Sequence, residues 1–170
     1  MKKIRLKAMA KINLGLDVLG KREDGYHEVR MIMQTIRMYD ILDIRKTRRP
    51  GIVLTTNLPF IPTDQRNLVY KAAQMLMEEF DVEEGLSIKL RKFIPVAAGM
   101  AGGSSDAAAA FVGVNRMFHL GLTEKQLMER AVKVGADVPY CIMRGTALAE
   151  GIGEKLTRLP EVPKCYVLIG

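Results

Sequence analysis

From Pro95 to Asp106 the chain reads Pro-Val-Ala-Ala-Gly-Met-Ala-Gly-Gly-Ser-Ser-Asp, small residues leading into a helical pattern. Glycine has no Cβ, so φ turns positive freely and backbone N–H groups can approach an anion closely. Serine hydroxyls add donors, and a helix that starts here directs the positive end of its dipole at the same place. A strand, a glycine–serine loop and a helix in that order suit a phosphate group. The plainer alternative is a tight turn before a small-residue helix packed closely on a sheet. Two serines and a helix start, added to the glycines, weigh against it. The loop lacks the lysine of G-x-x-x-x-G-K-[ST] and does not fit G-x-G-x-x-G. Ser104 or Ser105 is the expected cap of the helix that follows.

Other residues have suitable chemistry without a spacing that joins them. Lys11 and Asn13, two apart in an alternating segment, fall on one side of a strand. Tyr26 and His27 follow Gly25, where a ring and an imidazole can stack on and hydrogen-bond a base. Asp137 can accept a proton, being acceptor-only when ionised. Taken alone, Lys11 reads as a solvated strand lysine and Asp137 as a helix N-cap. His119 has no spaced partner and reads as structural. Met75, Met77, Met100 and Met117 read as packing residues.

Composition narrows the class. The 170 residues include 48% hydrophobic and 26% charged side chains, as in a packed domain. No apolar run approaches the ~18 residues that span a bilayer. Lys7 and Lys11 interrupt the N-terminal segment, so no export signal is expected. Cys141 and Cys165 form neither a disulfide framework nor a metal-ligand pattern, making a reducing cytoplasm the expected location. The net charge of +7 suits a phosphorylated small molecule, a nucleic acid or an anionic membrane. Nucleic acid is disfavoured, since the chain has no Trp and no RNP-like run. Charge alone does not choose among these.

The elements that must position these residues follow from periodicity. Ile4, Leu6 and Ala8, then Ile12, Leu14, Leu16 and Val18, alternate as strands do, and Val29 to Ile36 and Ile41 to Ile44 continue extended. Arg48 to Gly51 is a turn before a strand over 52–55. Leu68, Ala72, Leu76 and Phe80 recur at helical spacing, and Leu86, Ile88 and Leu90 alternate. The glycine-rich run then opens a helix with Ala107, Phe111, Val114 and Phe118 on one face. Thr123 with Gln126 is a capping box for a helix that ends near Gly135. Asp137-Val138-Pro139 starts a short helix. Thr146 to Glu150 and Tyr166 to Ile169 read as strands, the latter stopping at Gly170. This order suggests an α+β fold rather than strict βαβ alternation.

The glycine-rich run resembles the second motif of the GHMP kinases, with Gly103 as an additional glycine before the serine pair. Ala10-Lys11-Ile12-Asn13-Leu14 with Gly25-Tyr26-His27-Glu28 is similar to the N-terminal signature of the branch that phosphorylates 4-diphosphocytidyl-2-C-methyl-D-erythritol. Gly135 to Pro139 and Ala149 to Glu154 resemble two further segments of that family, so the likeness runs from Lys11 to Glu154 with interruptions. It implies a GHMP kinase N-terminal domain, two-layered, with helices packed on one face of a mixed sheet. It also implies that residues 1–170 are the ATP-binding part of a longer chain whose C-terminal domain, with another glycine-rich motif, is missing.

The resemblance further implies the site. Lys11 and Asp137 match the family's catalytic pair, Asp137 taking the proton of a substrate hydroxyl and Lys11 countering charge on the transferred group. Pro95, Val96, Ala97, Ala98, Gly99, Met100, Ala101, Gly102, Gly103, Ser104 and Ser105 are expected to bind ATP, with Asn67 near the adenine or ribose. Tyr26 and His27 are expected at the cytosine of a cytidine diphosphate derivative, with Asn13 beside the substrate. Mg²⁺ is expected with the ATP phosphates, Ser105 being its candidate protein ligand. Homoserine- or mevalonate-type GHMP kinases would share the loop but give no reason for Gly25-Tyr26-His27. A basic RNA-binding α+β domain would give no reason for Asp137.

Overall fold

The alternation of the first 47 residues folds as two long strands, β1 (Lys3–Lys21) and β2 (His27–Thr47), paired antiparallel from Lys3↔Arg45 to Lys21↔His27. The computed structural model describes residues 2–23 and 25–169, so Gly170 lies outside the described residues. Then come β3 (Ile52–Thr56), α1 (Leu68–Glu79), β4 (Gly85–Arg91), α2 (Gly102–Phe118), α3 (Glu124–Ala131), α4 (Val138–Met143), β5 (Thr146–Gly151) and β6 (Lys155–Arg158). The sheet runs β3-β4-β2-β5-β6, with β1 on the other edge of β2. Only β3 and β4 pair parallel; the sheet is mixed and the fold is α+β, as expected.

One face of the sheet is covered. Leu86, Ile88 and Leu90 of β4 and Leu42 and Ile44 of β2 are buried, while Lys89 between them is exposed. Across the opposite face Arg5 and Arg91 both donate to Asp43. α2 lies on the covered face with α1 and α4 beside it. Its Ala107 to Phe111 run is buried, and Gly113 lets it sit close to the sheet. A Cβ there would come within 2.5 Å of Ile44 Cδ1 and 2.7 Å of Leu6 Cδ1.

β2 is one strand where the sequence suggested two, and the reason is its irregularity. Met9 pairs with Tyr39 but Lys11 pairs with Thr35, so β2 carries two extra residues at this point. Bulges of this kind re-aim side chains and free backbone groups. On its other flank β2 pairs with β5 over Val29–Gln34 and with β4 over Ile41–Thr47. The sheet therefore forks between Thr35 and Asp40.

Several expectations change. Neither Ser104 nor Ser105 caps α2; the cap position is Ala101, in the left-handed region without a side-chain bond. The capping box of Thr123 and Gln126 is present, but α3 ends at Ala131 and turns carry the chain on to Gly135. Tyr166–Ile169 is not a strand: it joins no strand of the sheet, and Tyr166 and Leu168 are almost fully exposed. The strand after β5 is instead β6, whose polar composition gave little signal. No helix of the described residues is long and apolar enough to cross a membrane.

Candidate active site

The glycine-rich run closes one wall of a cleft of about 410 Å³, within the usual range for small-molecule sites. Residues 95–104 line it, facing Asn67, Leu68, Arg66 and Lys92. Ala97, Gly99 and Ala101 all have positive φ, at 60°, 70° and 55°. Alternate residues in this conformation turn successive N–H groups to one side and form an anion-binding concavity. For the two alanines the conformation costs of order 1 kcal/mol each, and such strain concentrates at ligand sites. The N-terminus of α2 opens onto the same cleft, adding its unpaired N–H groups and dipole.

Of the two serines, Ser104 borders the cleft and Ser105 does not. Ser105 is 2% exposed, and its hydroxyl donates to the Met9 carbonyl at 2.5 Å. The structure thus turns the expected metal ligand away from the loop, because position 105 lies on the sheet side of the helix. Asn67 does border the cleft, yet its side chain is engaged: Oδ1 accepts from Val69 N at 2.9 Å and Nδ2 donates to Pro62 O at 2.8 Å. It caps α1 and holds the preceding loop.

Lys11 and Asp137, 126 positions apart, meet. Lys11 Nζ lies 3.8 Å from Asp137 Oδ2 and donates to Asn13 Oδ1 at 3.2 Å. The fork in the sheet explains the lysine's place, since its N–H bonds Met100 O at 3.1 Å instead of β2. Lys11 is thereby tied directly to the glycine-rich loop. Asp137 stands at the N-cap of α4 but makes no side-chain capping bond, which leaves the carboxylate free to face Lys11. Behind it, Cys141 is buried, and burial first, then the Asp137 charge, pushes its thiol up to about 12. The Tyr140 hydroxyl donates to Gly145 O at 2.7 Å and lies 3.0 Å from Thr35 Oγ1. This fixes α4 against the bulged part of β2.

The turn after β5 also reaches the pair. Gly153 has φ 108°, and a Cβ on it would lie 2.9 Å from Met31 Cε and 4.0 Å from Asp137 Oδ1. Tyr26 and His27 are exposed and stand far along the hairpin. His27 lies eight residues from Thr35, the partner of Lys11, or roughly 26 Å of strand.

Sequence reasoning missed a buried cluster at the floor of the cleft. Lys92 Nζ donates to Asp40 Oδ2 and, at 2.7 Å, to Asp106 Oδ2. Asp40 Oδ1 also accepts from Phe93 N at 2.5 Å and Ile94 N at 2.8 Å. Each of the three reads alone as an ordinary surface charge; only the fork in β2 brings them inside.

Residues 67–145 match the family model for the GHMP kinases N terminal domain. The chain carries a GHMP kinase N-terminal domain. It is 57% identical over 169 residues to a 4-diphosphocytidyl-2-C-methyl-D-erythritol kinase of Lachnospira eligens, covering 99% of this chain and 59% of that protein. A solved 4-(cytidine 5'-diphospho)-2C-methyl-D-erythritol kinase superposes with a TM-score of 0.80 at 35% identity, covering 92% of this chain and 55% of the other. A homoserine kinase from Cytophaga hutchinsonii shares the fold, with a TM-score of 0.75 at 20% identity over 94% of this chain and 52% of its own. The chain thus spans somewhat over half the length of these relatives.

Proposed function

We propose that the protein containing this GHMP domain transfers the γ-phosphoryl group of ATP to a hydroxyl of 4-diphosphocytidyl-2-C-methyl-D-erythritol, a step of non-mevalonate isoprenoid precursor synthesis. The observation that carries this reading is the Lys11–Asp137 pair, joined to the phosphate loop through the Lys11 N–H to Met100 O bond. Phosphoryl transfer asks a protein mainly to position its reactants and offset negative charge. In this reading Asp137 receives the proton of the substrate hydroxyl as its oxygen attacks phosphorus and the bond to the β-phosphate oxygen breaks, releasing ADP. The Lys11 ammonium faces the charge that develops on the transferred group.

The substrate assignment is supported by the relatives named above and by the length of the hairpin. A nucleotide-linked sugar alcohol is long enough to put its base near Tyr26 and His27 while its hydroxyl end reaches towards Asp137 and Asn13. The longer relatives continue beyond the matched segment, and in this reading a second domain supplies the remaining binding surface. The basic charge suits two polyanionic substrates.

Mg²⁺ would neutralise the ATP phosphates when bound. The described residues contain no group of three His, Cys, Asp or Glu side chains able to hold a metal, so the ion fits here only as part of the nucleotide complex. Ser104, on the cleft wall, is then the side-chain oxygen at hand.

Asp137→Asn in the full-length protein tests the reading. The amide keeps the size but cannot take a proton, so turnover should fall by ~10²-fold or more while the ATP dissociation constant changes less than threefold. Equal losses of binding and turnover would remove Asp137 from the chemistry. Failure of cytidine nucleotides to compete with the substrate would shift the assignment to another GHMP kinase type.

A further inference from the structure

Lys11 and Asp137 face each other without a hydrogen bond. Lys11 Nζ stands 3.8 Å from Asp137 Oδ2, and Asp137 makes no side-chain capping bond. Their separation is therefore set by the elements that carry them, β1 and α4. α4 has only six residues, so whatever holds its far end also holds Asp137. That end is the joint Arg144–Gly145. Gly145 N donates to Thr35 Oγ1 and Thr35 N to Gly145 O, both over 3.0 Å, and the Tyr140 hydroxyl donates to Gly145 O. Thr35 is the cross-strand partner of Lys11. A further tie comes from Arg144, whose Nη2 donates to the Lys7 carbonyl at 2.9 Å. Lys7 lies four residues before Lys11 on β1.

Arg144 makes this bond from a strained backbone. Its φ is 58° and its ψ −179°, a region occupied almost only by glycine. Such strain persists only where the surroundings over-determine it, and it gathers at functional sites. Glycine would adopt this backbone freely, as the next residue does at φ 85°. Stability does not account for the arginine: the residue is exposed, and an exposed bond that fixes a long side chain adds little. What the side chain supplies is reach, from the end of α4 to the strand that carries Lys11.

We propose that Arg144 is a positioning residue for phosphoryl transfer: its guanidinium ties the end of α4 to Lys7 and so sets the distance between Lys11 and Asp137. This rests on the reading given above, in which Asp137 receives the substrate proton and Lys11 faces the transferred group. Without the tie, α4 shifts against β1 and Asp137 moves relative to the ammonium. The loss then falls on the reacting geometry, where small displacements are costly. The glycine-rich loop is held separately, by Lys11 N–H to Met100 O and by Ser105 Oγ to Met9 O, so ATP binding is spared.

The test compares full-length wild type with Arg144→Gly and Arg144→Ala, and repeats Arg144→Gly in the Asp137→Asn background. Both substitutions remove the arm, but glycine relieves the strain while alanine keeps it. We expect kcat to fall roughly tenfold in both, with the Michaelis constants for ATP and the cytidine substrate within about twofold of wild type. In urea unfolding Arg144→Gly should be no less stable than wild type, and Arg144→Ala less stable than Arg144→Gly. Slower turnover by the glycine variant is then separated from any loosening of the fold. In the Asp137→Asn background Arg144→Gly should change turnover less than about twofold, since no proton acceptor is left to misplace. Unchanged kcat in Arg144→Gly, or a tenfold fall that persists beside Asp137→Asn, overturns the positioning role. A raised Michaelis constant for the cytidine substrate at constant kcat overturns it too, by placing the guanidinium on the substrate. A glycine variant that unfolds more readily than wild type would make the arginine a stabilising residue instead. Full turnover by Asp137→Asn alone would overturn the reading of the Lys11–Asp137 pair and this inference with it.

Discussion

Ser105 Oγ donates to the carbonyl of Met9, 96 positions earlier, over 2.5 Å. This bond pins the first turns of α2 to β1 two residues before Lys11. Phosphate loop and ammonium are therefore held by one short path through the core. Ser105→Ala leaves the Met9 carbonyl buried without that donor, which should cost about 1–3 kcal/mol in urea unfolding. Turnover should fall as well, because the tie sets where Lys11 stands. A variant as stable as wild type would show that the bond is dispensable.

Gly153, in the turn after β5, approaches Asp137 with φ 108°, a conformation that any side chain strains. Gly153→Ala forces the turn to move, and the Asp137 carboxylate with it. We expect kcat/KM to drop about tenfold or more with ATP affinity kept, since misplacing a reacting group is costly. Steady-state kinetics alongside an ATP titration separates the two quantities. A parallel fall in ATP affinity would place the damage in the loop instead.

Tyr26→Ala removes the exposed ring at the far end of the hairpin. If Tyr26 meets the cytosine, the Michaelis constant for the cytidine substrate should rise about tenfold while that for ATP stays constant, base–aromatic stacking being worth ~1–3 kcal/mol. An unchanged value would take Tyr26 out of the base pocket.

Asp106 makes folding stability depend on pH. Its carboxyl is raised by burial from 3.8 to about 8, so the folded protein binds more protons than the unfolded chain between these values. Stability contributed by this group is full below about pH 4, falls as pH rises, and is lost entirely above about pH 8. Asp106→Asn removes that slope, which is at most ~1.4 kcal/mol per pH unit. Urea unfolding at pH 5 and pH 8 should show the variant gaining on wild type by a few kcal/mol between the two. A constant difference would mean the carboxyl titrates normally.

The sequence exposed the parts of this molecule whose signal is local. Glycines, the Thr123–Gln126 box and the alternation of β1 are each written in neighbouring residues, and the corresponding elements are present. Lys11 and Asp137 stand out only by family likeness, because nothing in a linear pattern tells which of 26 Lys and Arg residues will face a given carboxylate. Asp40, Lys92 and Asp106 left no pattern at all. Their meeting depends on two extra residues in β2, which periodicity reads only as a pause between strands. Ser105 misled for a related reason. Adjacent serines at a helix start look alike in sequence, yet the 100° step of a helix sends one to the cleft and the other to the core.

The fork in β2 has a consequence for how the site keeps its dimensions. Thr35 marks the level of Lys11, and through Tyr140 it fixes α4. Asp40, bonded to Lys92, marks the level of the cleft floor. Five peptide units of one strand, ~17 Å at the usual rise when fully extended, separate these two marks. β1 pairs with the ends of that stretch, at Thr35, Tyr39 and Asp40, and skips the residues between, while Gly145 O and the Phe93 and Ile94 N–H groups hold the same two ends from the other side. The strand therefore acts as a ruler shared by the glycine-rich loop and the Lys11–Asp137 pair. Insertions or deletions in the loops at either end leave its graduation untouched, whereas one residue added between Thr35 and Asp40 would offset the two ends from each other.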